Sequence, residues 1–99
     1  MICRLWRSLV SLEEADRYVD LLHRKSLAQL AELPGFVDAS ILRREVDRGA
    51  EFLIVTRWVS LKAIEQFAGT HWSVAVVPPE LQPLMIDYDR SVRHYEVIE

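Results

Sequence analysis

Ninety-nine residues, 51% of them hydrophobic, suffice for one domain over 1–99 and leave no material for a second core. A formal charge of −3, with cations scattered singly or in pairs, argues against nucleic acid as a partner, which would need a concentrated basic surface. The lone Cys3 precludes an internal disulfide and no apolar run is long enough to span a membrane, so a cytoplasmic protein with no membrane partner is expected.

Ile2 to Val10 reads as a β-strand, and "SLEE" after it predicts a helix start. Ser11 stands at the N-cap and Glu14 three residues on, a capping box in which each side chain satisfies a free backbone N–H. Leu12, Ala15, Val19 and Leu22 follow at three- and four-residue steps, one face of a helix, and Leu27, Leu30 and Leu33 extend it past a bend near Ser26. Pro34-Gly35 ends it, because proline cannot continue the hydrogen-bond ladder and glycine tolerates the exit geometry. Phe36 to Val46 and Glu51 to Val59 read as two strands of a hairpin closed by "DRG", Asp47 to Gly49. Ser60 opens a second helix with Leu61, Ile64, Phe67 and Ala68 on one side and Gly69 as its stop. Thr70 is placed to cap a further short helix through Val77, ended by Pro78-Pro79. Met85 to Glu99 returns as a long last strand, with "DYDRS" marking a bend or an exposed edge.

Strand, helix, strand, strand, helix, strand with right-handed crossovers gives an α+β, ferredoxin-like βαββαβ fold with a four-stranded antiparallel sheet and both helices on one face. Leu53, Ile54 and Val55 are consecutive and apolar, so the third strand is greasy on both sides. Helices cover one side only. A second copy's sheet is the simplest cover for the other, and a homodimer is expected.

"FLIVTRWVSLKAIEQFAG", "AVVPPE", "RHYEVI" and the earlier "LPGF" together resemble the antibiotic biosynthesis monooxygenase family over nearly the whole chain. The most specific part is the W-x-S-x-x-A-(I)-x-x-F pattern, Trp58 through Phe67. The resemblance implies a dimeric α/β barrel with a pocket between helices and sheet. It also implies a choice among cofactor-independent oxygenases of aromatic polyketides, quinol oxygenases, haem-degrading enzymes and domains without known activity. Fold alone does not choose. The haem-degrading branch uses a first-strand asparagine, a tryptophan late in the second helix and a histidine ten residues later. Phe67 and Val77 fall at the latter two positions and the chain has no asparagine, so haem degradation is disfavoured. Of the polyketide branch's residues, Trp58 matches, whereas Ile54 replaces an asparagine, Ile64 a tyrosine, and the arginine falls near Pro78.

A cofactor-free oxygenase holds a phenol- or quinol-type ring in a dry cavity and helps one proton leave; the anion then passes an electron to O₂. On this reading Trp58, Phe67 and Trp72 are walls, with Ile54 and Ile64 at the carried-over substrate positions, and a small aromatic molecule is the partner. The alternative for Trp58 and Phe67 is core packing, and for Trp72 cover over a neighbouring loop. His71 is the candidate base, since the positive end of the expected short helix would favour neutral imidazole. Arg7 is the candidate oxyanion holder if it faces the pocket, and a solvated charge if it does not. His94 and Tyr95 lie on opposite faces of the last strand and suggest structural or interface duty first. No metal-ligand spacing and no glycine-rich phosphate loop appears, and no cofactor is expected. The alternative from a different class is a binding or stress-related domain of the same fold without turnover.

Overall fold

The computed structural model describes residues Met1–Glu99 throughout. β1 (Ile2–Val10) lies in the middle of an antiparallel sheet, paired along its whole length with β3 (Gly49–Trp58), from Ile2 opposite Trp58 to Val10 opposite Ala50. β2 (Phe36–Val46) joins β3 in the expected hairpin, Val46 opposite Gly49. The free edge of β1 takes two short strands, β4 (Met85–Tyr88) and β5 (Arg93–Glu96), with Ser8 opposite Tyr88 and Cys3 opposite Tyr95. The order β2-β3-β1-β4/β5 is ferredoxin-like. The long last strand of the sequence reading is thus two pieces, broken where "DYDRS" predicts a bend.

Period-two alternation turns Ser8, Val10, Phe52, Ile54 and Trp58 towards the helices, where all five are buried. α1 (Ala15–Leu22) meets the first four with Ala15, Tyr18 and Leu22, whereas Trp58 packs with Leu30, Ala63 and Ile64. Each such large apolar side chain contributes about 1.5–3 kcal/mol on full burial, so this one face supplies most of the fold's driving force. Tyr18 keeps its hydroxyl satisfied at the bottom of the core by a 2.6 Å hydrogen bond with the Ser8 hydroxyl.

The first helix begins differently from the expectation. The Glu14 N–H bonds to the Ser11 carbonyl at 3.1 Å, so Leu12–Glu14 form a tight 3₁₀ turn. The donor that a Ser11 cap would receive is already taken, and the Ser11 side chain caps nothing. Past α1 the backbone widens into a π turn over His23–Leu27 before α2 (Ala28–Leu30), an irregularity that includes Ser26, where a bend was expected. Gly35, at φ 85°, brings the chain against the next helix: a Cβ there would sit 2.5 Å from the Ala63 Cβ. That helix, α3 (Leu61–Ala68), is capped as expected, the Ser60 hydroxyl accepting from the Ala63 N–H at 3.2 Å, and Gly69 ends it at φ 81°.

Residues 70–77 do not form the expected helix. Val74, Val76 and Val77 are β-branched and helix-averse, and an extended path offers their backbone partners. Val74 bridges Ser91, the Ala75 N–H reaches the Arg90 carbonyl at 2.9 Å, and the Val92 N–H reaches the Ser73 carbonyl at 2.8 Å. The segment is a strap lying beside the break between β4 and β5, over the helix face of the sheet.

Candidate functional site

The helices do not close the sheet completely. Between the π turn, α3 and the strap lies a cleft of about 490 Å³, counting its open mouth. Arg4 and Trp6 from β1 and Ile54 and Thr56 from β3 form its floor, as the strand period dictates. Leu27 and Phe67 are side walls, and Val76 of the strap and Pro78 just after it form the rim. Only Arg4, Ser26 and Thr56 among the lining residues are polar, so the space suits a flat and largely apolar molecule.

The expected site residues divide. Ile54 and Phe67 line the cleft. Trp58 stands one layer behind: it is fully buried, stacks on Phe67 with centroids 5.5 Å apart and planes 18° from parallel, and meets the Phe36 ring edge-on at 5.4 Å. Its indole N–H donates to the Thr56 hydroxyl at 2.9 Å, so it fixes both Phe67 and Thr56 rather than touching the open space. Ile64 is packed in the same cluster as Trp58 and has no exposed surface. Trp72 packs against that cluster from the strap and does not line the cleft. His71 is exposed and outside the cleft, and without a helix at residue 70 it has no dipole behind it. Arg7 points to the opposite face of the sheet, into an ion-pair cluster with Glu51 at 3.1 Å, Asp89 at 3.4 Å and Asp87 at 3.8 Å. Arg7 is thus neither the oxyanion holder nor the solvated charge of the two expectations, but a paired cation.

Arg4 occupies the place that Arg7 was expected to fill. It is 6% exposed and lies over the Phe67 ring, 5.6 Å from its centroid. Nη1 donates to the Trp72 carbonyl at 2.5 Å and to Nε2 of His94 at 3.0 Å; Nη2 reaches the Val74 carbonyl at 3.5 Å. Burial pulls its pKa down to about 10, which leaves it charged at neutral pH. Because a guanidinium only donates, His94 must accept through Nε2 and carry its proton on Nδ1. Burial first, and then the Arg4 charge, hold His94 below the usual histidine range. The signal for Arg4 was available in the sequence: on the β1 face formed by Ile2, Arg4, Trp6, Ser8 and Val10 it is the one charge.

No family model and no curated relative matches the chain. Solved structures do. A protein of Nitrosomonas europaea, provisionally described as an antibiotic biosynthesis monooxygenase, superposes with a TM-score of 0.71 over 100% of both chains at 16% identity. One of Caulobacter crescentus CB15 with the same provisional description gives 0.72 over 99% of this chain and 90% of its own, at 15% identity. The fold is that of the antibiotic biosynthesis monooxygenases. The haem degrader MhuD of Mycobacterium tuberculosis, with two haems bound in its active site, shares the fold at a TM-score of 0.67 and 18% identity, over 100% of this chain and 97% of its own.

Against this monooxygenase-type fold the cleft residues can be tested for haem. None of the lining side chains is a histidine, cysteine, methionine or tyrosine, and the Nε2 lone pair of His94 is committed to Arg4. The residues present do not fit an axial iron ligand. Nor does any group of three His, Cys, Asp or Glu side chains come together that would hold another metal.

Proposed function

We propose that the chain is a cofactor-independent oxygenase of a small aromatic, phenol- or quinol-type molecule bound in the cleft between π turn, α3 and sheet, acting as a homodimer. The carrying observation is the cleft itself: an apolar slot floored by Trp6 and Ile54, walled by Phe67 and open to solvent at the strap. The fold shared with the monooxygenase-type structures supports the same reading. In an anthrone-like substrate, ionisation of the ring CH₂ gives an electron-rich carbanion that reduces O₂. One oxygen atom ends in the new carbonyl, and the other leaves as water with the two hydrogens of the CH₂. No carboxylate or imidazole lines the walls, so the proton departs to water at the mouth.

Oxygen uptake with a panel of anthrones and hydroquinones tests this. Wild-type protein is expected to consume O₂ with at least one of them. Val76→Trp, which adds bulk at the half-exposed rim, is expected to cut the rate about tenfold or more, roughly 1.4 kcal/mol in the barrier, while the fold persists. His71→Ala is expected to leave the rate unchanged. The reading fails if no substrate supports uptake, or if the His71 variant rather than the Val76 variant is inactive. Uptake by none, with tight binding retained, favours the non-catalytic binding domain, for which the absence of a base in the walls speaks.

A further inference from the structure

Arg4 is a buried cation without a carboxylate partner. Its hydrogen bonds to the Trp72 carbonyl and to His94 both leave from Nη1, and the contact to the Val74 carbonyl leaves from Nη2. These hold the strap and β5 to β1. The Nε–H and one Nη2–H have no acceptor in the chain, yet no fully buried side-chain nitrogen is left without a partner. Nε is therefore not sealed off, Nη2 keeps a second N–H beyond its one 3.5 Å contact, and Arg4 lines the cleft. Nε and Nη2 are the pair through which a guanidinium takes a carboxylate side-on, two parallel N–H···O bonds to two oxygens. No acidic side chain lines the cleft to compete for them or to repel an incoming anion. Beside this fork the Phe67 ring and the body of Trp6 offer flat apolar walls, and the Trp6 indole N–H is turned away, bonded to the Asp89 carbonyl at 2.8 Å.

We infer that the natural ligand is a planar ring acid: its carboxylate lies on the Nε/Nη2 fork of Arg4 and its ring lies between Phe67 and Trp6. This rests on the aromatic-ligand reading above and narrows it from phenols and quinols in general to rings that already carry a negative charge in solution. Arg4 is then the specificity-determining residue of the cleft, and its charge serves recognition in the resting protein.

Isothermal titration of the full chain with 2-naphthoate and with its uncharged counterpart 2-naphthamide separates the two levels. Wild type is expected to bind both, the acid at least about tenfold more tightly, as charge-assisted bidentate pairing predicts. Arg4→Met is expected to lose the preference for the acid and to bind acid and amide alike. Arg4→Lys keeps the charge without the fork and is expected to retain a reduced preference, which covers the case in which the methionine variant does not fold. Equal wild-type affinity for acid and amide overturns the inference and leaves the aromatic cleft standing. Binding of neither probe overturns both.

Discussion

At the scale of single residues the chemistry centres on Arg4 and His94. The two are bound through one shared proton position: Nε2 of His94 accepts from Arg4 at 3.0 Å only while the imidazole is neutral. Protonation sets two donors against each other. The sign follows. With the folded-state pKa below the ordinary 6.5, the unfolded chain binds the proton more readily, so this contact's stabilisation is present above pH 6.5 and is lost as pH falls through the folded value. The His94 Cε1 proton, followed by NMR, is expected to titrate below 6.5 and to move upward in Arg4→Met, which removes the neighbouring charge. A midpoint at or above 6.5 in the wild type contradicts the pairing. How legible this was depends on the residue. Phe67 and Ile54 both line the cleft: helical spacing alone turns Phe67 towards the sheet, whereas Ile54 was singled out through the family resemblance. His71 and Arg7 are not in the cleft. The first rested on a helix that does not form, and the second was one strand position off in phase from the face that carries Arg4 and Trp6. That His94 would meet Arg4 needed the register between β1 and β5, which no local pattern encodes.

At the scale of elements, local signals succeeded where a residue's own chemistry dictates the backbone. Ser60 and Gly69 bracket α3, and Gly35 takes the positive φ of the turn into β2, although the first helical run already stops at Leu30. They failed where a non-local partner won. The strap takes backbone hydrogen bonds from residues 90–92 in place of a helix, and Ser11 loses its capping role to a 3₁₀ turn. The strand β3 shows a subtler outcome. Its face away from the helices carries Leu53 and Val55, but also Glu51 and Arg57, which pair with Arg7, Arg44 and Asp38. Leu42 and Tyr95 on the same face are 50% and 53% exposed. The apolar centre is therefore rimmed by ion pairs, a composition that would suit a second subunit's sheet and would give such a contact a defined orientation. Light scattering is expected to report a mass of two chains at micromolar concentration, and Leu42→Glu is expected to shift it towards one. A monomeric wild type would rule the homodimer out.

For the whole molecule, the sheet divides its duties by face. The helix face holds the cleft between two core clusters, one around Tyr18 and Phe52 and the other around Trp58 and Ile64, with the widened π turn over His23–Leu27 carrying Ser26 and Leu27 to the cleft wall. The opposite face holds the ion-pair network and the apolar patch. The topology was legible because element order and handedness leave few arrangements open. The cleft was legible only as a place, since its floor depends on which strand phase meets the helices. The most direct measurement is a titration of ¹⁵N-labelled protein with 2-naphthoate, read residue by residue. Shifts confined to the Trp6 indole N–H and the amides of Thr56, Phe67 and Val92, with Leu42, Arg44 and Leu53 unmoved, are the expected result. Shifts centred on the second group, with the first silent, would place the ligand on the wrong side of the sheet and contradict the assignment of the site.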